Sequence, residues 1–168
     1  MRVACFHVSL LLLLGGCTYA IQPECGAYTE LDGRVVDGRM CQERLRREYA
    51  ISSAFTPDQQ AAIHAAGDAW NAATSGRVAL TWRIVDAGAT IYPAGNDPAV
   101  GGGYDSYDSR MWLRPSQDPG AMGLIVAHEL GHSFGLGHTE PGELMDKWVN
   151  VGITAADVKH FDELWLAR

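Results

Sequence analysis

The chain has 168 residues, 47% of them apolar, and its 13 basic against 20 acidic residues leave a net charge of −7. That length allows one domain with a real core, and that composition excludes a disordered chain. A net-acidic chain is a poor binder of nucleic acid, and this one carries no internal repeat or long low-complexity run.

Residues 1–16 read as a targeting segment outside the fold. Arg2 supplies the positive start, and Val8 to Leu14 is an apolar run too short to span a bilayer comfortably. The following Leu14-Gly15-Gly16-Cys17 resembles the bacterial lipoprotein box. That resemblance implies cleavage before Cys17, a lipid on its thiol, and membrane contact through the lipid anchor only. An ordinary secretory signal cut after Thr18-Tyr19-Ala20 is the alternative. Both put the protein outside the cytoplasm. Thr18 does not resemble the Asp that retains lipoproteins at an inner membrane, so in a host with two membranes the outer one is expected.

Residues 17–53 read as an N-terminal arm. Of the four cysteines, Cys5 leaves with the signal and Cys17 takes the lipid, which leaves Cys25 and Cys41. In an oxidising compartment a disulfide between them is the natural outcome. It would close a loop of about 16 residues and stabilise by roughly 3 kcal/mol. Arg39 to Tyr49 is polar, with Leu45 and Tyr49 at i, i+4, and reads as a short helix.

Residues 54–168 hold the main domain. Thr56-Pro57-Asp58-Gln59 is a helix start: Thr56 caps, Pro57 fits the first position, and Gln59 completes a capping box. Ile63, Ala66, Trp70 and Ala73 make the apolar stripe of a helix that Gly76 closes. His64 and Asp68 fall on it as a surface polar pair. Val78, Leu80, Trp82 and Ile84 alternate with their neighbours as a strand. Thr90 to Tyr92 is a second strand, stopped by Pro93. Residues 94–108 mix glycines with Asn96, Asp97, Asp105 and Asp108, which is loop chemistry. The aspartates read first as turn formers and leave room for Ca²⁺. Arg110-Met111-Trp112-Leu113 is a further strand, stopped by Pro115.

Gly120 to Phe134 then forms a helix carrying the most specific signal in the chain. Residues 128–138 read His-Glu-Leu-Gly-His-Ser-Phe-Gly-Leu-Gly-His. His128 and His132 are one turn apart on one face, so both imidazoles can reach one ion. Glu129 is rotated from them yet close enough to touch a water there. Gly135 can take a left-handed backbone that ends the helix, and the turn returns His138 as a third ligand. Three protein ligands leave a fourth position open, which is the layout of a catalytic zinc site. Met122, Ile125, Val126 and Leu130 pack beside the metal face. Pro141-Gly142-Glu143-Leu144-Met145 follows, and Thr154-Ala155-Ala156-Asp157 caps a last helix with a stripe of Val158, Phe161, Leu164 and Trp165. His160 reads as structural.

The five fixed positions His128, Glu129, His132, Gly135 and His138 resemble the zinc motif of the metzincin metallopeptidases, most closely the matrixin type. The resemblance implies an α+β fold: a small twisted, mostly parallel sheet with an antiparallel edge strand, a backing helix, an active-site helix and a C-terminal helix. It implies that Met145 sits in a methionine turn beneath the metal. It gives residues 110–113 (Arg110, Met111, Trp112 and Leu113) the role of the antiparallel edge along which substrate lies as an added strand. The specificity pocket would form near His128 and residues 145–151. Thr139 stands where matrixins usually carry Ser, and no Tyr follows Met145 closely. Pro23-Glu24-Cys25-Gly26 faintly resembles the matrixin cysteine switch, but only Pro, Cys and Gly match.

The implied activity is Zn²⁺-dependent hydrolysis of peptide bonds in a protein or peptide substrate by a monomer, with Glu129 as general base. A non-catalytic zinc-binding surface lipoprotein that acts as a binding module is the reading from another class.

Overall fold

A computed structural model describes residues 30–31, 34–35, 45–95, 100–149 and 151–165. The four cysteines lie outside the described residues, and with them the expected targeting segment, the expected lipid site at Cys17 and the expected Cys25–Cys41 disulfide. Among those residues, no helix is long and apolar enough to cross a membrane.

The fold is α+β, with a mostly parallel sheet of five strands and three helices. Two short strands, β1 (Glu30–Leu31) and β2 (Arg34–Val35), form a separate antiparallel pair. The main sheet contains β3 (Leu45–Ser52), β4 (Val78–Val85), β5 (Ile91–Pro93), β6 (Gly102–Asp105) and β7 (Arg110–Leu113), in the order β4-β3-β5-β7-β6. Every pairing is parallel except β6 with β7. The helices are α1 (Pro57–Ala73), α2 (Pro119–Ser133) and α3 (Ala155–Trp165).

Two expectations are corrected here. The short helix read over 39–49 is not formed from Leu45 on, because all eight residues of β3 pair in register with β4. The i, i+4 spacing of Leu45 and Tyr49 suggests a helix. Main-chain pairing, first through Leu45 N to Arg77 O at 2.7 Å, overrides it. The exposed Arg46, Arg47 and Glu48 lie on a strand whose second half, Tyr49 to Ser52, is buried. The sheet therefore takes in residues before 54.

The second correction concerns the antiparallel edge. It is β6, not residues 110–113; β7 is interior, flanked by β5 and β6. The stretch containing β6 reads as loop because Gly102 and Gly103 carry no side chain to show an alternation. Their bareness is what lets the strand lie close to its neighbours. A Cβ on Gly103 would fall 2.7 Å from Trp112 Nε1, and one on Gly102 would fall 2.8 Å from Ile125 Cγ2.

The remaining elements follow their sequence signals. At α1, Thr56 Oγ1 accepts from Gln59 N, and Gln59 Oε1 accepts from Thr56 N, which closes the capping box. Ile63, Ala66 and Trp70 are buried, whereas Ala73 is exposed. His64 does more than face solvent: its ring stacks on Trp82 at 5.3 Å, and Trp82 stacks on Tyr49 at 5.4 Å. β4 is the other edge strand, and its Ile84 is exposed.

The core centres on α2. Trp70, Phe134 and Phe161 form an aromatic cluster with centroids 5.3 to 6.3 Å apart. Such pairs add about 0.5–1.5 kcal/mol beyond the area they bury. Two indoles pin α2 by its carbonyls. Trp70 Nε1 donates to Ala127 O at 2.8 Å, and Trp165 Nε1 donates to Phe134 O at 2.6 Å. One comes from α1 and one from α3, so the helix bearing the motif is held from two sides.

Candidate metal centre and cleft

Helix α2 starts where Asp118 accepts from Ala121 N at 3.0 Å, with Pro119 in the first turn. It carries His128, Glu129 and His132, and ends as expected at Gly135, whose φ is +94°. Leu136 N then donates to Gly131 O at 3.0 Å, which turns the chain back over the helix end. That turn brings His138 to the other two rings. Centroids lie 4.6 Å apart for His128 and His132, 4.8 Å for His132 and His138, and 5.4 Å for His128 and His138. One ligand atom of each lies within 4.8 Å of the others.

The three residues can hold a metal ion, and their hydrogen bonds prepare two of them for it. His128 Nδ1 lies 2.8 Å from Leu144 O, and His132 Nδ1 lies 2.8 Å from Leu136 O. A carbonyl oxygen only accepts, so each Nδ1 carries the proton and each Nε2 keeps its lone pair. Second partners of this kind fix the ring and raise its basicity as a ligand. Three neutral imidazoles are a donor set compatible with zinc. His128 is buried, His132 half-buried and His138 exposed, so the cluster opens towards solvent at His138. Burial pushes His128 below the usual histidine value of 6.5. Its bond to the Leu144 carbonyl opposes that, His138 adds to it, and Asp157 and Asp146 oppose it from further away.

The histidines and the buried Glu129 line a cleft of about 620 Å³. One wall is β6 with the residues just before it, from Val100 to Tyr104. Another is the segment Lys147-Trp148-Val149, and Ile125 of α2 contributes to the floor. Val100 and Trp148 are two of the few large apolar side chains left exposed among the described residues.

The strand expected to carry substrate, residues 110–113, is not in this lining, whereas Lys147 to Val149 of the expected specificity pocket are. Met111 and Leu113 point into the core, 1% and 0% exposed. Arg110 lies over the Tyr92 ring at 4.3 Å and donates to Ala89 O at 3.3 Å. Trp112 is half-buried beneath Gly95 and Gly103. Asp105 and Asp108 behave as turn formers: Asp105 accepts from Tyr107 N at 2.8 Å, and Asp108 accepts from Arg110 N at 3.1 Å. His160 is 42% exposed and lies 3.7 Å from Glu143.

Met145 is fully buried under the histidines' helix. A Cβ on Gly131 would collide with its Sδ, so the bare Gly131 is the seat on which Met145 rests. Met145 O accepts from Thr139 N at 3.0 Å, beside His138. Asp157, wholly buried at the start of α3, accepts from Leu144 N and Met145 N, each at 3.1 Å. Gly131 and Asp157 escape a reading of the sequence in these roles. Gly131 fills a variable position of the motif. Asp157 announces itself only as a helix cap, which it also is, accepting from Thr154 N at 2.8 Å.

No protein-family model matches this chain, and no curated protein matches it.

Proposed function

We propose that this protein is a zinc-dependent endopeptidase of the metzincin kind, most similar to the matrixins. The observation that carries the reading is the convergence of His128, His132 and His138 beside the buried Glu129, in a cleft walled by a sheet edge. A zinc ion held by the three imidazoles would supply Lewis acidity, polarising the scissile carbonyl and making water acidic enough to attack near neutral pH. The Glu129 carboxylate takes the attacking water's proton and passes it to the amide nitrogen as that nitrogen leaves. An extended peptide adds to the free edge of β6, held by main-chain hydrogen bonds. Tyr104, Trp148 and Val149 offer apolar contact to its side chains. His128 and His132 are kept in the tautomer that leaves Nε2 for the ion by the carbonyls of Leu144 and Leu136.

The test is turnover of casein or a mixed peptide pool. Activity should vanish with a chelator and return with zinc. Glu129→Ala should keep the metal and lose activity by several orders of magnitude; near-normal turnover in that variant would overturn the mechanism. Wild-type protein that holds zinc and cuts nothing would instead favour the binding module. On its leader residues the protein works outside the cytoplasm, held by a lipid on Cys17. The mass of the mature chain checks the anchor, since an unlipidated chain starting after Ala20 would contradict it.

A further inference from the structure

Asp157 does more than a helix cap requires. A cap of this kind needs one carboxylate oxygen to satisfy the main chain at the helix start. Asp157 Oδ2 does this, accepting from Thr154 N at 2.8 Å and from the Thr154 hydroxyl at 2.6 Å. The same carboxylate also reaches across to a different segment. Oδ2 accepts from Leu144 N and Oδ1 from Met145 N, each at 3.1 Å. The side chain is 0% exposed, so all of its charge is met inside the protein. A buried charge is tolerated only where such bonds are complete, and breaking one of its partners is expensive.

The segment so anchored touches the histidine cluster twice. Leu144 O accepts from His128 Nδ1 at 2.8 Å. Met145 O accepts from Thr139 N, the residue after His138. The peptide unit joining Leu144 to Met145 therefore stands between a carboxylate and a ligand imidazole. Its N–H, that of Met145, points to Asp157 Oδ1, and its C=O, that of Leu144, to the His128 ring. A charge at the N–H end polarises the peptide and makes the carbonyl a stronger acceptor. Carboxylates bonded directly to a ligand imidazole orient it and raise its basicity. Here one peptide unit is interposed.

We propose that Asp157 is a positioning residue of the three-histidine centre, acting on His128 through the peptide unit between Leu144 and Met145 and setting how tightly the centre holds its ion. The proposal rests on the metal-centre reading and deepens it. It makes Asp157 the part of α3 that serves the site, and it gives the Thr154-x-x-Asp157 box a second task.

The test is a cobalt(II) titration of the apoprotein, read by the visible absorption of the bound ion and by competition with a chromophoric chelator. Three proteins are compared: wild type, Asp157→Asn and Thr154→Val. The last loses the two bonds of the Thr154 hydroxyl, one to Asp157 Oδ2 and one from Asp157 N, but keeps those that Asp157 accepts from residues 144 and 145. Asp157→Asn is expected to bind cobalt about 10- to 100-fold more weakly, with an altered visible spectrum. Thr154→Val is expected to lower the apoprotein melting temperature yet bind cobalt as wild type does. Wild-type affinity in Asp157→Asn overturns the proposal, and so does equal weakening in both variants, since that would be a general loss of stability. Should Asp157→Asn not fold, Asp157→Glu decides, because its charge is kept but its oxygens are displaced. It should bind several-fold more weakly with a shifted spectrum, and unchanged binding overturns the proposal. Wild-type protein that takes up no divalent ion would overturn the metal-centre reading itself, an outcome distinct from the others.

Discussion

Tyr49 shows how one side chain ties the sheet to the helix that bears the motif. Its hydroxyl lies 2.7 Å from Ser133 Oγ, one residue past His132. Ser133 Oγ donates to Leu130 O at 2.7 Å, so its proton is committed and Tyr49 is the donor in the other bond. Burial pushes the phenol up from 10 to about 12, outweighing its bond to Ser133 and the nearby Arg47. The folded state therefore keeps a proton that the unfolded chain gives up near 10. A raised folded value contributes stability that is complete below the unfolded value and is lost as pH rises through the folded one. Two units correspond to a loss on the order of 2–3 kcal/mol between about pH 10 and pH 12. Tyr49→Phe cannot show that loss. It should be the less stable protein at neutral pH, by about 0.5–1.5 kcal/mol for the missing hydrogen bond. The two urea-unfolding curves should then cross near about pH 11. Parallel pH profiles would show that the tyrosine is not buried as described.

At the scale of elements, the contact that decides the site's geometry is the closeness of α2 to the Met145 segment. Gly131 lies inside α2, where alanine would ordinarily be better by about 0.5–1 kcal/mol. A methyl there would strike Met145 Sδ and stand 3.4 Å from Trp70 Cζ2, both fully buried with little room to move. Overpacking of this kind costs about 1–3 kcal/mol and so outweighs the gain in propensity. Gly131→Ala should therefore unfold at lower urea than wild type, and a more stable variant would mean that Met145 is not seated on the glycine. The same contact explains what the sequence could and could not reveal. Capping boxes and apolar stripes announce α1 and α3, and the alternation around Trp82 announces β4, because those signals are local. The histidine motif is local too. β3 misleads because its charged half mimics one helical turn, and β6 is silent because glycines carry no pattern. Asp157 and Met145 meet across 12 positions and Tyr49 and Ser133 across 84, so these supports become visible only when the chain is folded.

For the molecule as a whole, the histidine cluster ties α2 to α3 through the chain between them. α2 supplies two rings, the turn after it supplies the third, and the Leu144 carbonyl ties the cluster to the segment held by α3. An ion that binds only this folded arrangement stabilises all of it by mass action, about 2.7 kcal/mol when its free concentration is a hundred times the dissociation constant. Protons work against it, because the ligands must be neutral. In the chelated protein the sign follows from His128, which burial holds below 6.5. As pH falls past 6.5 the unfolded chain takes up a proton there that the folded state resists. Stability that is complete above the unfolded value is thus lost as pH drops towards the folded one. Zinc should raise the urea midpoint of wild type at pH 7.5 and not that of His128→Gln. Without metal, wild type should lose more stability than His128→Gln between pH 7.5 and 5. Equal slopes would mean that His128 is not buried as the neutral ring, and an equal response to zinc would remove it from the ligand set.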